Sequence, residues 1–151
     1  MINLLTAIIS ALFGALVVIV TNWWRTRYTI REQDFSKRVE EIIKKIETLE
    51  DLSCKYWAGM DIDARSEISV NSIVGKKTQL ELLIGFVISK YENLNEKSIN
   101  DALAVFNDTI TGDEFEVKNE SFKIQPMKIQ AIHLHAEELK LTILTERVRN
   151  Y

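Results

Sequence analysis

Apolar and polar positions divide this chain into one uninterrupted apolar block and a series of striped segments. From residue 1 to residue 24 no side chain is charged, and positions 4–20 read LLTAIISALFGALVVIV. A helix rises 1.5 Å per residue, so about 20 apolar residues cross the roughly 30 Å hydrocarbon core of a bilayer. Leu4 and Val20 bracket the run and Gly14 lies within it. Trp23, Trp24 and Arg25 follow, where aromatic rings and a first cation meet the headgroups. The block therefore predicts a single membrane-spanning helix over residues 1–24. A cleaved signal peptide fits poorly, because the basic leader is missing and tryptophans stand where small residues should precede a cut.

After the block the pattern changes to stripes. Phe35, Val39, Ile42, Ile46, Leu49, Ser53 and Tyr56 recur in alternating steps of four and three, a heptad seam. Ile43 and Leu52 widen that seam toward bundle packing. This predicts a helix from residue 28 or 32 to residue 58, ended by Gly59. With no Gly or Pro between Gly14 and Gly59, it can continue the membrane helix without a break. A second helix is predicted over 64–93, with Ile73, Leu80, Ile84, Val87 and Tyr91 on one face and Lys77 on the same stripe. Gly75 and Gly85 each weaken it by about 1 kcal/mol relative to alanine, and Gly75 is where a break would split it. A third helix, 96–110, is capped by Asn95 or Ser98 and buries Ile99, Leu103, Phe106 and Ile110. Residues 113–125 (DEFEVKNESFKIQ) alternate at Phe115, Val117, Phe122 and Ile124, as a short β-hairpin or an ordered loop would. Pro126 suits the first turn of a last helix over 127–149. Ile129, Ile132, Ala136, Leu139 and Ile143 form its stripe. Leu134, Leu141, Leu144 and Val148 add a second apolar flank, which predicts the most buried helix of the set. The expected fold is all-α: one N-terminal transmembrane helix (1–24), then a cytoplasmic bundle of about four helices (25–151).

Charge refines this picture. Residues 25–38 hold five basic and two acidic side chains, and the remainder holds 14 basic and 20 acidic. The basic excess follows the apolar block, so the positive-inside rule places the C-terminal domain in the cytoplasm of a cell whose inner membrane carries the helix. An acidic domain argues against duplex nucleic acid as a partner. The single cysteine, Cys54, permits no internal disulfide, which fits a reducing compartment. Within the block Ala7, Ala11 and Ala15 recur every four residues, with Ser10 and Gly14 beside them. Small side chains at that spacing let helices approach closely in lipid, so a homo-oligomer is expected.

Candidate chemistry is sparse. His133 and His135 stand two apart, about 200° around a helix, and cannot share a metal ion. No HExxH, CxxC, GxSxG or glycine-rich phosphate loop occurs, and neither a metal nor a cofactor is expected. Cys54 has no evident base near it in sequence and reads as a small buried hydrophobe. The expected catalytic set is empty and the protein is not expected to be an enzyme. Tyr56-Trp57, the turn TITGDEFE at 109–116 and the terminal RVRNY remain as candidates for ligand contact. A hydroxyl and backbone amides can meet an anion, aromatic rings stack on bases, and arginines grip phosphate. Lys76, Lys77, Thr111, Arg147 and Arg149 are the candidate ligand-binding residues.

The layout carries a resemblance. A single anchor with a WW-R-R exit is followed by a long helix ending SCKYWAG. Then come QLELLIGFVISKYE, DTITGDEFE and a closing LKLTILTERVRNY. This architecture resembles the small membrane-anchored effectors of type III CRISPR anti-phage defence that sense cyclic oligoadenylates. The resemblance implies a tetrameric domain that binds cyclic tetra-adenylate and perturbs the bilayer, and it transfers no individual binding residue. The alternative from the same layout is a non-enzymatic membrane scaffold whose helical domain docks a cytoplasmic protein partner.

Overall fold

The computed structural model describes residues 2–59, 67–91, 93–112, 115 and 125–150. Among them are four helices and no strand: α1 (Ile2–Ala58), α2 (Glu67–Lys90), α3 (Glu96–Thr111) and α4 (Pro126–Asn150). The chain forms two compact units, residues 1–36 and 37–151.

The first unit is the N-terminal part of α1. The helix is long and apolar enough to cross a membrane, with a mean hydropathy of 1.9 over its most apolar window, none of it buried. Large side chains project on every side of it, with Leu12, Phe13 and Ile19 each about two-thirds exposed. Polar groups are satisfied within the helix, as an apolar medium demands. Thr21 donates its hydroxyl to the Val17 carbonyl at 2.8 Å. At the end of the apolar run the Arg27 guanidinium lies 5.3 Å from the Trp23 ring centre, a cation–π pair at the expected interface level.

The second unit is a helical bundle built on the predicted stripes. Six positions of the α1 seam, Val39 through Tyr56, are at most 4% exposed. So are Ile73, Leu80 and Ile84 of α2, Ile99, Phe106 and Ile110 of α3, and Ile132, Ala136, Leu139 and Ile143 of α4. Burying each large side chain contributes about 1.5–3 kcal/mol, which makes this core the main source of stability. Caps close the helices. Gly59 takes the left-handed conformation (φ 61°) after α1, where a side chain would be strained. Asn95 caps α3 by accepting from the Ser98 amide at 3.2 Å. Pro126 is the first residue of α4, where its missing N–H is not needed.

Side chains then lock the helices together. Buried Trp57 donates its indole N–H to the Ile110 carbonyl at 3.1 Å, joining the ends of α1 and α3. Asn107 donates to Glu81 at 2.7 Å across α3 and α2. The buried Glu146 carboxylate accepts the Asn95 amide at 2.9 Å, so the end of α4 meets the start of α3. Gly112 is required by space, since a Cβ there would lie 2.9 Å from the Asp108 carbonyl oxygen.

Two expectations need correction or refinement. Helix α2 runs through Gly75 unbroken, because that glycine faces open space on the outer side and removes no packing. Helix α4 is not the most buried element. Leu134, Leu141 and Val148 are 55%, 54% and 81% exposed. At about 100° per residue they lie roughly opposite Ile132, Ala136 and Leu139, so one helix cannot bury both faces in this bundle. The expected hairpin or loop at 113–125 lies outside the described residues, apart from Phe115 and Gln125.

Candidate functional site

The sequence candidates do not converge on one place in a single chain. Thr111 ends α3 and donates its hydroxyl to the Asn107 carbonyl at 2.8 Å. Arg147 and Arg149 follow Glu146, which packs at the other end of α3. A helix of 16 residues is about 24 Å long, so Thr111 and the arginines stand that far apart along it. Arg149 is two-thirds exposed, 3.9 Å from Glu146. Trp57 fills the core and spends its N–H on Ile110, so it is not free to stack on a base. Its ring carries the Lys128 ammonium at 5.0 Å and meets Tyr56 edge-on at 5.2 Å.

Lys76 is the candidate that gains a setting. It lines a groove of about 230 Å³ between α1 and α2, with Glu41, Lys44, Lys45, Thr48 and Gln79. Three lysines and one glutamate line it, and that carboxylate is already held by Arg38 at 3.0 Å. A cleft with a cationic excess attracts anions, and lysine binds phosphate as a flexible point charge. Lys77, one residue on, is half-buried and does not line the groove. Sequence reasoning missed Lys44 and Lys45. Their doublet was visible, but only the side-by-side packing of α1 and α2 sets it opposite Lys76.

A second cluster corrects the reading of Cys54. Its sulfur lies 3.6 Å from His133 Nε2, and His133 Nδ1 lies 2.6 Å from Glu50 Oε1. The other Glu50 oxygen is 3.5 Å from the Lys140 ammonium, which also pairs with Glu137 at 2.8 Å. An ionised carboxylate only accepts, so the Nδ1 of His133 carries the hydrogen toward Glu50 and Nε2 of the neutral ring accepts from the thiol. Cys54 therefore has a base after all, supplied by α4. Burial, followed by the nearby charges of Glu50 and Asp51, pushes the Cys54 thiol up to about 11. The hydrogen bond to Glu137 raises the Lys140 ammonium above its ordinary value. The thiol is thus held neutral at rest. Cys54 lies inside a helix whose amides are spent on backbone carbonyls, so the backbone around it offers no donors for an oxyanion. His135, the other histidine, pairs with Glu138 on its own helix at 2.8 Å. Among the described residues no three His, Cys, Asp or Glu side chains could hold a metal ion.

Comparison with protein-family models, with curated proteins and with solved structures returns no match to this chain.

Proposed function

We propose that the protein is a membrane-anchored effector of anti-phage defence whose helical domain self-associates and binds a cyclic oligoadenylate through its lysine groove. The reading is non-enzymatic: ligand binding is the signal and the anchor is the output. The observation that carries it is that Lys44 and Lys45 belong to the same helix as the apolar segment, and that Lys76 joins them around one groove. Ligand contact there acts directly on the helix that continues into the anchor.

The size of the groove supports a ligand shared between copies. A drug-sized pocket is about 300–1,000 Å³, and this groove is smaller, at about 230 Å³. One groove suits one nucleotide unit, so a ring of four would draw one groove from each of four copies. Exposed apolar positions support self-association. Met127, Leu134, Leu141 and Val148 recur every seven residues along the outer face of α4, the spacing of a helix seam. The small-residue stripe of the anchor adds a second contact in lipid. The basic residues after the anchor favour a cytoplasmic domain.

The test is thermal unfolding of the full chain in detergent micelles with cyclic tri-, tetra- and hexa-adenylate. At 100 times its dissociation constant a ligand adds about 2.7 kcal/mol and raises the melt. A shift with one ring size supports the reading. No shift with any ring at millimolar concentration overturns it, and a stoichiometric protein partner would then favour the scaffold alternative.

A further inference from the structure

None of the residues of the Cys54 cluster lines the groove. Its four members come from two helices: Glu50 and Cys54 lie one turn apart on α1, and His133 and Lys140 lie two turns apart on α4. The order of atoms is thiol, imidazole, carboxylate, ammonium. We propose that Cys54, His133 and Glu50 form a peroxide-reactive thiol site in which His133 moves the thiol proton to the departing oxygen.

The geometry supplies each part of that step. His133 Nε2 takes the proton from the Cys54 sulfur, 3.6 Å away, as the sulfur attacks one peroxide oxygen. The sulfur–oxygen bond forms and the oxygen–oxygen bond breaks. The leaving hydroxide collects the proton from Nε2 and departs as water. Cys54 is oxidised by two electrons to a sulfenic acid, and hydrogen peroxide, the oxidant, is reduced. Glu50 accepts from Nδ1 at 2.6 Å throughout and holds the ring in the tautomer that leaves Nε2 open.

Access favours a small oxidant. The His133 side chain is 58% exposed, while Glu50 beneath it is 16% exposed and Cys54 is half-buried. Solvent reaches the imidazole, and the half-buried Cys54 beside it is not sealed in the core. The chain has no second cysteine, so the sulfenic acid meets no resolving thiol of its own. The charged groups around the pair are Glu50 and Asp51 from α1, the latter held by Lys55 at 2.6 Å, and Glu137 and Lys140 from α4. An unaided thiol pushed to about 11 would hold only about one thiolate in ten thousand at pH 7, so reactivity near neutrality requires the base.

The experiment treats the full chain in detergent micelles with hydrogen peroxide, traps sulfenic acid with dimedone and reads the intact mass. With one cysteine the adduct is unambiguous. Rates are taken from about pH 5.5 to 9.5. The expected rate is level from about pH 7.5 to 9.5, because a relayed proton needs no free thiolate. His133→Gln is expected to slow the reaction at least tenfold at pH 7.5 and to restore a climb of about tenfold per pH unit, the signature of free thiolate. Glu50→Gln is expected to slow it less and keep the plateau. Should His133→Gln fail to fold, the wild-type plateau and the Glu50→Gln rate decide. A wild-type rate that climbs tenfold per unit to pH 9.5, variants that match the wild type, or no adduct at millimolar peroxide would each overturn the proposal.

Discussion

The N-terminal part of α1 and the bundle are built from the same apolar residue types, placed in opposite ways. Leu, Ile and Val of residues 8–20 point outward on every side and are about half to two-thirds exposed. In the bundle the same types on the inner stripe of each helix are almost wholly buried. The difference fits different surroundings. A helix apolar all round satisfies its backbone internally and needs a lipid surrounding, while a striped helix needs other helices. The outer face of α4 stands between the two, with Met127, Leu134, Leu141 and Val148 forming a narrow apolar line on a helix that is otherwise polar outside.

Breaking the core should have the largest effect. Trp57→Ala removes a fully buried ring and the bond to Ile110, and is expected to lower bundle stability by about 3–5 kcal/mol, read as the denaturant midpoint of the full chain in micelles. A charge in the apolar segment should act on the other region alone. Leu12→Arg is expected to cost about 2.5–3.5 kcal/mol of membrane insertion. The protein should shift from the membrane fraction toward the soluble one while the melt of the bundle is unchanged. If the melt falls as well, the two regions are not independent. The smallest effect on a single chain belongs to the α4 outer line. Leu141→Glu is expected to change monomer stability by less than about 0.5 kcal/mol, as an exposed site should, and to lower the assembled mass measured by light scattering. A large stability loss there would mean that this face is part of the core.

Much of the fold was legible because periodicity reports burial directly. The four-and-three spacing from Phe35 to Tyr56 and from Ile73 to Tyr91 requires only one helix at a time, and both stripes are buried. Asn95, Gly59 and Pro126 were legible for the same reason, as caps act within a few residues. What failed depends on neighbours. The hydrophobicity of Leu134, Leu141 and Val148 does not say which face of α4 the bundle takes. Cys54 and His133 are 79 residues apart, and His133 and Glu50 are 83 apart, so only the packing of α4 on α1 makes them a relay. The groove has the same origin, since Lys44 and Lys45 meet Lys76 only through the register of α1 against α2.

The measurement that tests the central claim most directly is calorimetric titration of cyclic tetra-adenylate into the full chain in micelles. It compares wild type with Lys45→Glu/Lys76→Glu and with Arg147→Glu/Arg149→Glu. Two charge reversals at the groove of every copy should weaken binding at least a hundredfold, by the loss of about 1.4 kcal/mol or more per lysine. The arginine pair, which does not line the groove, should bind within threefold of wild type. Equal binding by the lysine variant, or loss confined to the arginine variant, would contradict the groove as the ligand site.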